Sequence, residues 1–220
     1  MKYLIFLLSI PKILWVNFRY LPFKQAIKLP LFVSYDTKVN ISGKVVFNTP
    51  VRTGLVHMGF WRISACELGG TTQLMVAKKG KLIINGTAFM GLGTKIIVVN
   101  GSLALGNNFK ISGATGIYCY HFISFGKSFL GSWECLIMDT DNHSIYGENG
   151  EKINADKPIK IGDDVWMGCR CTVLKGTTIP SNTVIGACSF VSGENFTPNT
   201  IIIGNPAQSR KKIKSWGHHK

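Results

Sequence analysis

Apolar residues recur at every sixth position between Ile161 and Phe196, a stretch that divides into six hexapeptides with nothing left over. The first positions are Ile161, Met167, Val173, Ile179, Ile185 and Val191. The fifth are small or short (Val165, Cys171, Thr177, Thr183, Ser189, Asn195), and Gly162, Gly168 and Gly186 hold second positions. A period of six is neither the roughly 3.6-residue repeat of a helix nor the alternation of a strand, so it describes a chain that turns a corner at a fixed interval. Three such units close a triangular coil. Stacked coils place each apolar first residue above its equivalent, which predicts a parallel β-helix with an aliphatic ladder inside and small residues where the wall bends.

A second block repeats the spacing at Leu105, Ile111, Ile117, Ile123, Phe129 and Cys135. Its fifth positions include Phe109, His121 and Trp133, too bulky for a tight corner, so these coils are either wider or turn those side chains outward. From about Asp36 to Val99 short β runs such as Lys44-Val-Val-Phe, Leu74-Met-Val-Ala, Lys81-Leu-Ile-Ile and Lys95-Ile-Ile-Val-Val are separated by Gly, Asn and Thr, as expected for early coils with insertions. Phe60-Trp61-Arg62 reads as structural, packed in a loop or turned toward a partner. Between Ile137 and Ile161 the hexads stop, and residues 138–160 form a polar, Gly/Asn-rich loop; a loop of that length inside a compact repeat points to function.

The two ends differ from the middle. Tyr3 to Val16 is strongly apolar but interrupted by Pro11 and Lys12, shorter than the roughly 20 residues that span a bilayer, and without a small-x-small cleavage signal. Residues 1–35 therefore read as a helical segment, either packed on the protein body or lying in a membrane interface with Lys12, Arg19, Lys24 and Lys28 toward anionic head groups. Residues 36–203 are the β-helix, and 204–220 a basic tail that ends as a tail or a short helix capped by Ser209.

The chain has 220 residues and a net charge of +14, so an anionic partner is expected. It carries no zinc spacing, helix-turn-helix pattern or aromatic platform amid basic residues, which excludes a nucleic-acid module. The positive charge lies instead at the ends: five basic residues precede the first acidic one, Asp36, and Arg210, Lys211, Lys212, Lys214 and Lys220 crowd the tail. Six cysteines (66, 119, 135, 169, 171 and 188) read as small side chains in a reducing cytoplasm, since Cys135 and Cys171 fall on repeat positions, and Cys169-Arg-Cys171 has the wrong spacing for a redox pair or a zinc site.

Asp139-Thr-Asp141-Asn-His143 lies ahead of the main repeat, Lys157-Pro-Ile-Lys-Ile-Gly-Asp-Asp-Val-Trp166-Met-Gly opens it and Gly204-Asn-Pro-Ala207 follows it. In that order these motifs resemble the left-handed β-helix of the hexapeptide-repeat acyltransferases. The likeness is to the maltose and galactoside acetyltransferase branch, and to its members that O-acetylate capsular and other bacterial surface polysaccharides. The resemblance implies an all-β fold, a homotrimer, acetyl-CoA as cosubstrate with no metal, and a sugar, nucleotide-sugar or lipid-linked oligosaccharide as acceptor. It implies a cytoplasmic location, with the inner face of the membrane as a further contact surface.

Acyl transfer from a thioester to a hydroxyl requires a base, an oxyanion site and a cleft in which the two substrates meet. Histidine suits the base role. His218 and His219 sit at the extreme tail, His57 lacks a motif, and His121 reads as a corner packing residue. By resemblance His143 is the general base, with Asp139 or Asp141 orienting its second nitrogen; the plain alternative is a polar turn with Asx hydrogen bonds. The resemblance further implies that Trp166 packs on the pantetheine arm, that Cys169, Ala187 and Ser192 line it, that Arg210 and Lys211 meet the phosphates, and that Trp133 and Glu134 contact the acceptor. Gly193 and Gln208 stand where basic residues are usual. A competing function is a non-catalytic β-helix scaffold held at a membrane.

Overall fold

A computed structural model of the chain describes residues 2–61, 70–193 and 195–217. Arg62, Cys66, His218 and His219 lie outside the described residues. The chain winds as a three-sided prism whose walls are parallel sheets. Face one carries strands from Leu31–Val33 to Ala207–Lys212, face two from Lys38–Ile41 to Phe190–Val191, and face three from Lys44–Phe47 to Thr178–Ile179. Successive strands visit faces one, two and three in turn, so hydrogen bonds run between coils and each coil touches only its neighbours. This is the left-handed β-helix expected from the hexad repeat.

Coil length follows the sequence. Where the hexads are cleanest, Val165 pairs with Thr183 and Thr172 with Phe190, one coil every 18 residues, or three hexapeptides. In the second block Ile111 pairs with Gly131 and Ile117 with Ile137, so those coils take 20 residues. The extra length makes room for aromatic filling. Phe109, Phe125 and Phe129 are buried as one cluster with ring centroids 4.7–5.4 Å apart. Of the bulky fifth positions, Phe109 points inward, His121 is exposed and Trp133 is half-buried on an edge.

The corner between faces one and two is a column of small buried residues: Thr37, Thr72, Thr94, Thr115, Cys135, Cys171 and Ser189. Thr115, Cys135, Cys171 and Ser189 turn their side chains onto carbonyls of the wall, as in Cys135 Sγ to Gly168 O at 3.2 Å and Ser189 Oγ to Gly186 O at 2.7 Å. Both cysteines are free thiols, as are Cys119, Cys169 and Cys188. At Gly168 a Cβ would come within 2.7 Å of the Ala187 amide, so the second-position glycine is set by close approach of the next coil.

Helix α1 (Lys2–Tyr20), followed by the short α2 (Phe23–Ala26), closes the N-terminal end of the prism. It is fixed to the first strand by Asn17, which donates to Leu31 O at 2.8 Å and accepts from Leu31 N at 3.1 Å. Its inner face is Ser9, Ile13, Val16 and Asn17; its outer face leaves Leu4, Leu7, Leu8, Leu14, Trp15 and Phe18 exposed. Among the described residues no helix is long and apolar enough to cross a membrane. Phe60 packs on Phe6 and His57, while Trp61 is 62% exposed.

The tail corrects one expectation. No helix is capped by Ser209: Ala207–Lys212 is a strand running antiparallel to Thr200–Gly204 at the edge of face one, and Ser209 Oγ instead accepts from Thr197 N at 2.9 Å. The open edge of a sheet offers a row of unpaired backbone groups, and pairing with it outweighs the helix-forming tendency of a lysine-rich run. Beyond the hairpin the chain returns along face one, where Trp216 Nε1 donates to Asp164 O at 2.6 Å.

Candidate active site

The edge between faces one and two gathers four of the expected residues. The Arg170 amide donates to Trp133 O and the Cys188 amide to Cys169 O, each at 2.9 Å, so Trp133, Cys169 and Ala187 occupy equivalent places in successive coils. Glu134, Arg170 and Cys188 follow them as a column of left-handed residues, with φ of 56, 57 and 59°. Arg170 Nε donates to Glu134 Oε2 at 2.5 Å. That bond, strengthened by the Glu134 charge, pushes the guanidinium above its ordinary range. Arg170 escaped the sequence reading because 36 residues, including the long loop, separate it from Glu134. Cys169 and Cys171 diverge, one half-exposed on the edge and one buried in the small-residue column.

Trp166 stands beside this edge on the outer surface of face one, paired with Leu130 and Val184 and 39% exposed. Part of that outward-facing ring is covered by the chain's own tail: the Trp216 ring lies 6.2 Å away, tilted by 39°. Arg210 and Lys211 are exposed on the terminal hairpin. Ser192 lies directly after Phe190–Val191, on the edge between faces two and three, and so is separated from Cys169 and Ala187 by the width of face two.

His143 belongs to that same second edge. The chain leaves face two after Leu136–Met138 and rejoins face three at Ile159–Ile161, where the Lys157 amide meets Asp139 O. The loop is pinned at its base. Lys175 Nζ donates to Asp141 Oδ2 and to Asn154 O; Asn154 Nδ2 donates to Asp141 Oδ2 at 2.7 Å and to His143 O at 2.8 Å. The Ile145 amide donates to Asn154 Oδ1, and Asn142 takes a left-handed φ of 63°. The backbone of His143 is thus held while its imidazole faces solvent.

Neither aspartate does what the sequence suggested for the imidazole. Asp139 is fully buried, and its two carboxylate oxygens accept from the backbone amides of Tyr120 at 2.7 Å and His121 at 2.9 Å, one coil away. It closes a coil corner whose amides would otherwise lack acceptors. Burial, reinforced by the Asp139 charge, pushes the adjacent Cys119 thiol far up. Asp141 is committed to Lys175 and Asn154, which together hold its carboxyl below the usual range. Both positions shape the loop on which His143 stands. Lys175 and Asn154, absent from the sequence reading, complete that anchor; Lys175 falls one step beyond Leu174, the partner of Met138, so its place was recoverable only once the loop length was known.

Among the described residues no three His, Cys, Asp or Glu side chains converge as a metal site. The arrangement offers an exposed imidazole on a held backbone and side chains aligned along the two edges of face two.

No family model matches the chain. A putative acetyltransferase of Schizosaccharomyces pombe is 31% identical over 113 residues, 42% of this chain and 54% of that protein, so the chain spans about half the length of that relative. An "uncharacterized 24.8 kDa protein in cps region" of Klebsiella pneumoniae is 25% identical over 206 residues, 94% of this chain and 90% of that one. In fold the chain is similar to the crystal structure of a polySia specific acetyltransferase, with a TM-score of 0.56 at 20% identity, over 86% of this chain and 89% of that one. Other curated relatives, matched over parts of the chain, are O-acetyltransferases of polysialic acid and of galactosides. By its repeat, its fold and these relatives, the chain is similar to the hexapeptide-repeat acetyltransferases.

Proposed function

We propose that this protein transfers the acetyl group of acetyl-CoA to a hydroxyl of a sugar in bacterial capsular or other surface polysaccharide synthesis, with His143 as general base. The observation that carries this reading is a single imidazole, exposed on a loop whose backbone is clamped by Lys175, Asp141 and Asn154, in a chain whose relatives are acetyltransferases. His143 takes the acceptor hydroxyl proton as the oxygen attacks the thioester carbonyl. The tetrahedral oxyanion collapses, the carbon–sulfur bond breaks, and the imidazolium returns the proton to the leaving thiolate, with no acyl-enzyme. Trp166, Cys169 and Ala187 offer one flat side and a shallow edge for a pantetheine arm, and Arg210 and Lys211 a cationic end for phosphates; seating that arm requires Trp216 to share or yield the face of Trp166. Ser192 would meet the arm from the other edge of face two. Trp133 and the Glu134–Arg170 pair face the acceptor.

The reading includes a homotrimer, which would bring the second edge of one prism, with His143, against a neighbour. The outer face of α1, continued by exposed Phe23 and Ile27 with Arg19, Lys24 and Lys28 alongside, fits a membrane interface and would bring lipid-linked acceptors to the enzyme. That same face is what a non-catalytic membrane scaffold would use. Replacing His143 by Ala separates the two: transfer to a panel of nucleotide sugars and lipid-linked oligosaccharides should fall by about 10²–10⁴ with the thermal transition unchanged. Transfer retained within a few-fold would refute the base assignment, and acetylated protein accumulating in a burst would refute direct transfer.

A further inference from the structure

A cleft of about 450 Å³ opens along the third edge, between faces three and one, roofed by the returning tail. Its lining includes Lys110 and Leu130 of face one, the corner residues Asn108 and Asn182, and Lys214 and Trp216 of the tail. It lies across face one from the edge bearing Trp133, Cys169 and Ala187; of its lining only Trp216, whose ring lies 6.2 Å from that of Trp166, also borders the surface assigned above to the coenzyme.

The walls are built and fixed. Asn108, Ser128, Asp164, Asn182 and Asn199 are left-handed residues with φ between 53 and 59°, one per coil, so the edge is a column of polar corner side chains. Asn182 Nδ2 donates to Asn199 Oδ1 at 2.8 Å and to Lys214 O at 2.9 Å, and Trp216 is tied to Asp164 O. The tail is therefore strapped to the prism on both sides of the opening.

The chemistry of the cleft is specific. Lys110 and Lys214 bring two ammonium groups, neither in an ion pair among the described residues, whereas nearby Asp163 is already paired with Lys127; Asp164 is the acidic residue on the lining. The indole of Trp216 supplies a flat apolar wall, and the asparagines and Ser128 supply neutral hydrogen-bonding groups. The corner amides are not available: the Ser128 N–H donates to Asn107 O, Asp164 N–H to Lys127 O and Asn182 N–H to Asp163 O. The edge therefore lacks the nest of free backbone amides that often cradles a phosphate cluster. What remains is an aromatic surface for the C–H face of a pyranose, amide side chains for its hydroxyls and two lysines for an acid group.

We propose that this cleft binds an acidic saccharide, a sugar bearing a carboxylate, and so holds a stretch of anionic polysaccharide across face one from the edge that carries Trp133 and Glu134. This rests on the reading that the acceptor is a glycan and narrows it to an acidic one.

Titration calorimetry of the full-length protein with an oligogalacturonate, and with its fully methyl-esterified neutral counterpart, tests the site. The charged oligosaccharide should bind at least about tenfold more tightly at low salt, and lose that advantage as salt rises. A Lys110→Gln/Lys214→Gln double variant should abolish the difference, and Lys110→Arg/Lys214→Arg should restore it. Equal binding of the two oligosaccharides, charged binding unaltered in the glutamine variant, or displacement by ADP at lower concentration than by free galacturonate would each overturn the proposal. Because the readout is binding without coenzyme, failure of acetyl transfer would sink the proposed activity and leave this measurement standing, and the reverse holds equally.

Discussion

Asp139 offers the sharpest test of how the loop region works. Its side chain is fully buried and accepts two backbone N–H bonds, at 2.7 and 2.9 Å, from the corner one coil away. In Asp139→Asn the amide oxygen can keep one of these bonds, but the NH₂ then faces the other N–H, donor against donor, in a fully buried site. Hydrogen bonds to charged groups contribute about 1.5–3 kcal/mol each, and a stranded buried donor costs about 1–3 kcal/mol, so a loss of roughly 2–4 kcal/mol is expected. For a chain of this size about 2–4 °C accompanies each kcal/mol, so the transition should fall by roughly 4–16 °C. Scanning fluorimetry at one protein concentration measures this. Acetyl transfer by the protein that remains folded should keep the wild-type pH profile, because Asp139 touches a corner and not the base. An unchanged transition with a displaced pH profile would refute the corner role and restore Asp139 as the orienter of His143.

Lys175→Met removes both the Asp141 and Asn154 contacts at the loop base. With the pair partly exposed, stability should drop by no more than ~1 kcal/mol, while amide exchange across residues 141–157 rises and turnover falls; unchanged exchange would mean that the loop is held by something else. His57 is packed against Phe32 and Phe89, and burial lowers its pKa. Its folded pKa lies below the unfolded value near 6.5, so its contribution to stability is present above that value and is lost as pH falls through the folded one. His57→Phe should therefore flatten the decline in thermal stability between neutral pH and about pH 5, and an identical decline in the variant would remove His57 from the account.

The prism was legible in the sequence because corner chemistry is local. An apolar residue, a small residue and a glycine at fixed offsets within six positions report a bend and its filling without reference to any distant residue. The same locality made Cys135 and Cys171 readable as small buried side chains and marked residues 138–160 as an excursion from the repeat. Asp139 illustrates the opposite case. On paper it stands four residues from His143, and proximity in sequence suggested a shared proton network; in space it belongs to the corner of Tyr120 and His121.

The sequence by itself determined the kind of wall and the length of each turn where the hexads run unbroken, since those depend on side-chain size and on close approach at a corner. Only the tertiary structure decided what stacks on what. Contacts between coils join residues about 18 to 36 positions apart, and every inserted residue shifts that register, so the Glu134–Arg170 pair, the Lys175 anchor and the return of Trp216 to Trp166 exist only once the coils are counted in space. The free edge of face one, which drew the tail into a hairpin, is a property of the assembled sheet and has no signature in the residues that occupy it.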